Sequence, residues 1–349
     1  MDLTIILFAL FSTLAFSFGL TYPAIGFAKK FNLVDDKSKR SHPANTHTGI
    51  IPRAGGLPIY LAIALGVIIF IPLNKIIIGI LLGGFLIVVM GLLDDYYDLS
   101  PILRFCLNII VAFIVVLFGL GVPYLSNPFG GVIHLDSIVW SINFFGVHKF
   151  YLLANLFSII WIVAIMNFVN WSKGVDGQLP GFVAISAFFL GVLAYRFTMY
   201  NISTESVALL SFIVAGAFLG FLPWNFYPQK IMPGYGGGAL AGFLLAVLSI
   251  LTFGKLGTMI LVLSVPIIDA IYVILRRLKN RKSPFWGDAG HLHHRLLALG
   301  WDRRQIAIFY WASSALFGLC AIYLQGIEKV VVLLIIALVM GVFIYLNNK

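Results

Sequence analysis

The chain has 349 residues, 61% of them hydrophobic and 10% charged, with a formal net charge of +10 and a mean hydropathy of +1.02. A soluble domain of this size would expose far too much apolar surface at that hydropathy. The apolar runs are continuous rather than alternating, which excludes a β-barrel, and the basic residues sit in short loops, where membrane orientation or an anionic ligand explains them better than nucleic acid does.

Eleven apolar segments follow one another, at roughly 3–27, 57–73, 75–93, 102–120, 151–170, 179–199, 204–222, 237–252, 255–275, 306–325 and 329–347, most of them near the ~20 residues needed to cross a bilayer. Three are short for a span. The expected fold is therefore an all-α integral membrane protein, a polytopic bundle of about 10–11 transmembrane helices forming one domain over 1–349. The first segment has no basic leader and carries Lys29 and Lys30 after it, so no cleaved signal is expected. Cys106 and Cys320 lie in apolar runs and suggest neither a disulfide framework nor a metal site. Counting alternate loops puts eighteen Lys and Arg on one side and five on the other. The basic side should be cytoplasmic, with the N-terminus outside and the C-terminus inside.

Along the basic side the polar groups cluster. Lys37-Ser38-Lys39-Arg40-Ser41-His42, running to Arg53-Ala54-Gly55-Gly56, reads equally as a topology determinant and as an anion contact. Asp94-Asp95-Tyr96-Tyr97-Asp98 ends the third segment, and Asp94 and Asp98 share a face if the helix continues. Adjacent carboxylates repel, so they share a proton or gather Mg²⁺; the plainer alternative is a hydrated helix end. The opposite side has one long loop, about 121–150, aromatic and uncharged apart from Asp136 and Lys149.

Asn167-Phe168-Val169-Asn170 leads through Trp171-Ser172-Lys173-Gly174-Val175 to Asp176-Gly177. The two amides share a helix face and can read a sugar, a base or a diphosphate; a helix end with a glycine-rich turn is the alternative. Pro233-Gly234-Tyr235-Gly236-Gly237-Gly238 precedes a helix and could cradle a phosphate on its backbone N–H groups, or be an ordinary loop. Asp269 lies inside a span after Pro266, where an acid is either functional or buried in a structural hydrogen bond. The most polar stretch runs from Arg276 past Asp288 to His291-Leu292-His293-His294-Arg295. Three clustered histidines without a thiolate or a fourth imidazole suit zinc poorly. With Arg295 they suit a diphosphate or nucleotide.

Taken in order, these pieces resemble the polyprenyl-phosphate N-acetylhexosamine-1-phosphate transferases, glycosyltransferases of the family 4 type. The stretches that carry the resemblance are Pro52-Arg53-Ala54-Gly55-Gly56, Gly91-Leu92-Leu93-Asp94-Asp95, Asn167 through Gly177, Asn225-Phe226-Tyr227-Pro228, and Ser283-Pro284 through His291-Leu292-His293-His294-Arg295-Leu296-Leu297. The last is closest to the branch that uses undecaprenyl phosphate and GlcNAc-1-phosphate. The resemblance implies that a UDP-linked amino sugar, probed first as UDP-GlcNAc, reacts with polyprenyl phosphate at the inner membrane to start an envelope glycan such as teichoic acid or lipopolysaccharide, with Mg²⁺ as cofactor. It implies catalytic Asp94, Asp95 and Asp176. It implies substrate contacts from Arg53, Asn167, Asn170, Lys173, His291, His293, His294 and Arg295, with Asp95 and Asp176 as metal ligands. Asp94 would be the base toward the lipid phosphate. The partners implied are the lipid, the UDP-sugar and the membrane, with no nucleic acid and room for a homodimer.

Two departures stand out. The family pattern has Asp-Gly-Leu-Asp-Gly where this chain has Lys173-Gly174-Val175-Asp176-Gly177, and an acid and a serine where it has Tyr235 and Gly238. Both acid losses move charge in the same direction, which weakens a Mg²⁺ centre. Either the chain is a degenerate relative that only binds lipid phosphate or nucleotide sugar, or Lys173 supplies charge that a metal otherwise brings. The second reading is preferred, because Asp94, Asp95, Asp176 and the histidines remain. A transporter is disfavoured, since its polar groups would lie near the bilayer midplane.

Overall fold

The computed structural model describes residues 2–36, 49–143, 147–199, 204–252, 255–284 and 289–346. The Lys37–His42 basic run, Asp288 and Lys349 lie outside the described residues.

Helices dominate because hydrocarbon offers no partner to a backbone N–H, so each segment must satisfy its own. In chain order they are α1 (Leu3–Lys30), α2 (Gly56–Phe70), α3 (Lys75–Tyr97), α4 (Pro101–Leu117), α5 (Leu152–Trp171), α6 (Gln178–Met199), α7 (Glu205–Asn225), α8 (Gly234–Leu251), α9 (Leu256–Val262), α10 (Ser264–Lys279), α11 (Leu292–Ala298), α12 (Arg303–Tyr323) and α13 (Ile327–Leu346). Several start on side-chain caps. Asn74 accepts from Ile77 N, Ser100 from Leu103 N ahead of Pro101, and Asp302 and Gln305 form a capping box.

Each of the eleven sequence segments has its helix. Among the described residues eight helices are long and apolar enough to cross a membrane; α9 with α10 makes a ninth, bent by 82°, and α2 and α4 are shorter apolar helices of 15 and 17 residues. The break at Leu263 was not visible in the sequence, because the apolar run continues across it. The protein is thus a multi-pass membrane protein.

The core lies around α8, whose residues from Gly234 to Ile250 are all buried. Its glycines let other helices come close: a Cβ on Gly91 of α3 would strike the backbone of Gly236. Large apolar side chains on the outer helices, such as Phe8, Phe11, Ile68 and Leu338, face outward, as expected of a lipid-facing surface.

The long loop is not irregular throughout. It forms two antiparallel hairpins, β3 (Tyr124–Ser126) with β4 (Val132–His134), and β5 (Val139–Asn143) with β6 (Val147–Tyr151). The earlier pair β1 (Val34–Asp36) and β2 (Ile50–Pro52) brackets the basic run and delivers Arg53 to the site. Arg53 N donates to Leu33 O and Met232 N to Pro52 O, which fixes that strand to the segment before α8.

Candidate active site

The described parts of the links between α1 and α2, α3 and α4, α5 and α6, α7 and α8, and α10 and α12 meet at one end of the bundle, and they carry the polar groups. Asp94 and Asp95 are the last buried residues of α3, at 0% and 3% exposure. The helix stops at Tyr97, and Asp98 takes a left-handed cap conformation with φ 54° and is exposed. Asp98 therefore does not extend the acidic face that a continuing helix would have given.

Each buried acid has its own guanidinium. Arg104, in the first turn of α4, reaches Asp94 Oδ1 at 3.3 Å and Oδ2 at 3.4 Å. Arg53 Nε lies 3.0 Å from Asp95 Oδ1, which also accepts from Tyr235 N at 3.4 Å. Burial works against charge on Arg53, but Asp95, then Asp35 and Asp94, outweigh it and raise its hold on the proton. Gly234 has φ +67°, and a Cβ there would run into Arg53 O and Asp95 Oδ2; glycine is what lets the chain pass beneath the carboxylate.

Lys173 comes from the α5–α6 link. Its Nζ donates to Gly234 O at 2.7 Å and lies 5.8 Å from the centre of the Tyr235 ring. Burial lowers its affinity for a proton to about 8, against the opposing pull of Asp95. Arg104 faces the same ring at 5.4 Å, and the Tyr235 hydroxyl donates to Asn108 Oδ1 at 3.1 Å. Asp94 and Asp95 thus meet three cations, Arg53, Arg104 and Lys173, with Asp35 and Asp98 also acting on Arg53.

The amides divide. Asn167 Nδ2 folds back onto Val163 O at 2.8 Å, whereas the buried Asn170 Oδ1 has no hydrogen-bond partner among the described residues. Asp176 turns elsewhere: its Oδ2 accepts from Gln229 N at 3.3 Å and lies 3.8 Å from Arg303. Asn225 Oδ1 accepts from Gly177 N at 3.0 Å, tying this turn to the end of α7.

The histidine wall closes the far side. His291 caps α11, stacks on His293 with ring centres 5.6 Å apart, and lies 6.3 Å from Trp171. His293 is packed against the α5–α6 link so tightly that a Cβ on Gly174 would overlap its ring. Burial, and then His294 and His291, hold its pKa well below the usual histidine value. It is thus neutral and works as a hydrogen-bonding group, not as a cation; its Nδ1 has no partner among the described residues. Arg295 reaches Gly290 O at 3.3 Å and Tyr272 at 3.3 Å. Asp269 is buried, with its Oδ2 2.8 Å from His291 Nδ1 and its Oδ1 accepting from Leu292 N at 2.7 Å.

Protein-family comparison matches residues 77–253, the stretch from α3 through α8, to Glycosyl transferase family 4. The chain belongs to that family. It is 32% identical over 308 residues to the probable undecaprenyl-phosphate N-acetylglucosaminyl 1-phosphate transferase of Bacillus subtilis (strain 168), covering 86% of this chain and 79% of that one. It is 28% identical to the decaprenyl-phosphate N-acetylglucosaminephosphotransferase of Mycolicibacterium smegmatis, over 86% of this chain and 78% of the relative. The undecaprenyl-phosphate alpha-N-acetylglucosaminyl 1-phosphate transferase of Escherichia coli (strain K12) is 27% identical, over 91% and 84%.

The donor set of this family 4 chain does not fit a divalent cation. Among the described residues no three His, Cys, Asp or Glu side chains group as ligands. Both α3 carboxylates are already engaged by guanidinium groups, an ammonium stands beside them, and Asp176 is held by Gln229 N and Arg303. Sequence reasoning missed Arg104, Asn108 and Arg303. Arg104 gave a faint signal as the one charged residue inside the fourth apolar segment, just after the acidic motif; nothing local marks Asn108 as the partner of Tyr235.

Proposed function

We infer that this family 4 protein transfers a sugar-1-phosphate, GlcNAc-1-phosphate in the first instance, from a UDP-sugar to polyprenyl phosphate, at the cytoplasmic face of the inner membrane with its N-terminus outside, and so starts an envelope glycan. An oxygen of the lipid phosphate bonds to the sugar-bearing phosphorus. The bond from that phosphorus to the bridging oxygen breaks, and UMP leaves with the electron pair. Both reactants are anions, so the barrier is chiefly charge repulsion, and preorganised cations at the reacting oxygens lower it.

The observation that carries the reading is the buried pair Asp94–Asp95, held by Arg53 and Arg104 at the end of the bundle where the histidine wall also closes. In this reading Asp94 takes the proton of the lipid phosphate and Asp95 orients Arg53 toward the diphosphate. Asn167, Asn170 and Asp176 line the nucleotide-sugar side, and His291, His293, His294 and Arg295 hold the diphosphate and sugar. The unpartnered Asn170 Oδ1 and His293 Nδ1 support this, since a buried polar atom without a partner is costly unless a ligand satisfies it.

The test is incubation of membranes carrying the protein with radiolabelled UDP-GlcNAc and undecaprenyl phosphate. Label moving into the organic phase with release of UMP is expected. Binding of UDP-GlcNAc without transfer would overturn the enzymatic reading in favour of a carrier or scaffold.

A further inference from the structure

The three positions at which this chain replaces an acid or the serine of the family pattern, Lys173, Tyr235 and Gly238, meet in space. Lys173 Nζ is fixed on Gly234 O at 2.7 Å. A Cβ on Gly238 would press on Asn170 Oδ1 and come to 3.1 Å from Lys173 Cδ. A larger residue at 238 would therefore contest the volume that the lysine stem and Asn170 fill. Tyr235 closes the opposite face. Lys173 lies 5.8 Å and Arg104 5.4 Å from its ring centre, so one aromatic ring attracts both like-charged groups. Its hydroxyl donates to Asn108 Oδ1, and its backbone N–H reaches Asp95. A Mg²⁺ ion demands near-octahedral oxygen donors at about 2.0–2.1 Å and gives up its waters reluctantly. Here both oxygens of Asp94 and Oδ1 of Asp95 already face guanidinium groups.

We propose that Lys173, Tyr235 and Gly238 form one coupled replacement that sets a tethered ammonium, instead of a divalent cation, against the diphosphate of the nucleotide sugar. The proposal rests on the transfer reaction inferred above. As the new bond to the sugar-bearing phosphorus forms and UMP departs, negative charge grows on the bridging oxygen. Lys173 meets it as a point charge, while Arg53 and Arg104 present planar donor pairs to the non-bridging oxygens. Lys173 and Arg104 exchange their resting contacts with Gly234 O and Asp94 for phosphate oxygens, while Arg53 stays on Asp95 through Nε and turns its other N–H groups to the diphosphate. No proton or electron beyond those of the transfer itself is required.

Two measurements on the full-length protein in nanodiscs test this. The first needs no activity: Mn²⁺ is titrated and its free signal followed by electron paramagnetic resonance. The wild-type chain is expected to leave Mn²⁺ free, and the Lys173→Asp/Tyr235→Asp/Gly238→Ser variant to bind it in competition with Mg²⁺. The second is UMP release with UDP-GlcNAc and undecaprenyl phosphate after EDTA treatment. Chelation is expected to change the wild-type rate by less than about twofold, since no metal supplies the charge. Lys173→Met is expected to lower the rate roughly a hundredfold, the loss typical of one preorganised charge-stabilising group. Mn²⁺ bound by the wild-type chain and displaced by Mg²⁺, or transfer lost in EDTA and restored by Mg²⁺, overturns the proposal. If the triple variant does not fold, the two wild-type measurements decide alone. Absence of transfer with and without metal overturns the inferred reaction instead, and the Mn²⁺ titration still decides the metal question.

Discussion

Asp269→Asn isolates the orientation of one imidazole. Asp269 is 1% exposed, and His291, whose Nδ1 lies 2.8 Å from Oδ2, is 7% exposed. An ionised carboxylate only accepts, so the ring proton sits on Nδ1 and leaves Nε2 for a substrate. The other oxygen accepts from Leu292 N at 2.7 Å, satisfying one of the open N–H groups that begin α11. Asparagine can keep that second bond through Oδ1. Its Nδ2 then faces His291 Nδ1 and draws the ring into the opposite tautomer. A buried hydrogen bond to a charged group contributes about 2 kcal/mol. At about 1.4 kcal/mol per decade that is roughly thirtyfold in kcat/KM. The expected result is therefore a roughly thirtyfold fall in kcat/KM for UDP-GlcNAc, with a shifted pH–rate profile and a stability loss of at most about 2 kcal/mol. Asp269→Ala should differ, because the Leu292 N–H is left buried without an acceptor, at about 1–3 kcal/mol of stability. Wild-type kcat/KM and pH profile in Asp269→Asn, with the protein folded, would refute the orienting role.

The remaining expectations concern the acids, the packing and pH. Asp94→Asn should lower transfer by at least about a hundredfold, the usual contribution of a positioned base, while the protein still folds; full activity would remove Asp94 as the base. Gly91→Ala should cost about 1–3 kcal/mol by overpacking α3 against α8, because the atom it meets is the Gly236 backbone and cannot rotate away; an unchanged melting temperature in detergent would contradict this. Lys173 sets a pH dependence. Burial brings its pKa down from 10.5 to about 8 in the folded chain, so the rate should show a falling limb near pH 8 that moves upward in Lys173→Arg. Between pH 8 and 10.5 the unfolded chain binds the extra proton, so this group's contribution to stability rises with pH across that window. A rate independent of pH from 7 to 9.5 in wild type would argue against a working ammonium.

Much of this protein was legible in one dimension. Eleven apolar runs became eleven helical units because hydrocarbon forces each backbone to satisfy itself locally, and the local residue count decides whether a run can span. The polar motifs recur at every second link, so alternation alone gathers Arg53, Asp94, Asp95, Asn170, Lys173 and the histidines at one end. Local patterning did less well where a run changes shape without changing character, as at the bend in Leu263 and in the hairpins of Tyr124–Ser126 with Val132–His134 and of Val139–Asn143 with Val147–Tyr151.

What the tertiary structure alone decided is which charge faces which. Asp95 meets Arg53 and Tyr235 N across 42 and 140 positions, and His291 finds Asp269 across 22. Hydrophobic period and helix caps act over a few residues, so they carry no information about such pairs; helix packing does. The sequence by itself determined a multi-pass α-bundle with an acidic pair, a basic loop set and a histidine segment on one side. Only the packed bundle decided that Lys173 comes to rest on Gly234 O, beside a tyrosine whose hydroxyl is held by Asn108 and a glycine that makes room for the lysine stem. The physical reason is that Coulomb forces and close packing depend on separations in space, and the chain order of these residues leaves those separations open.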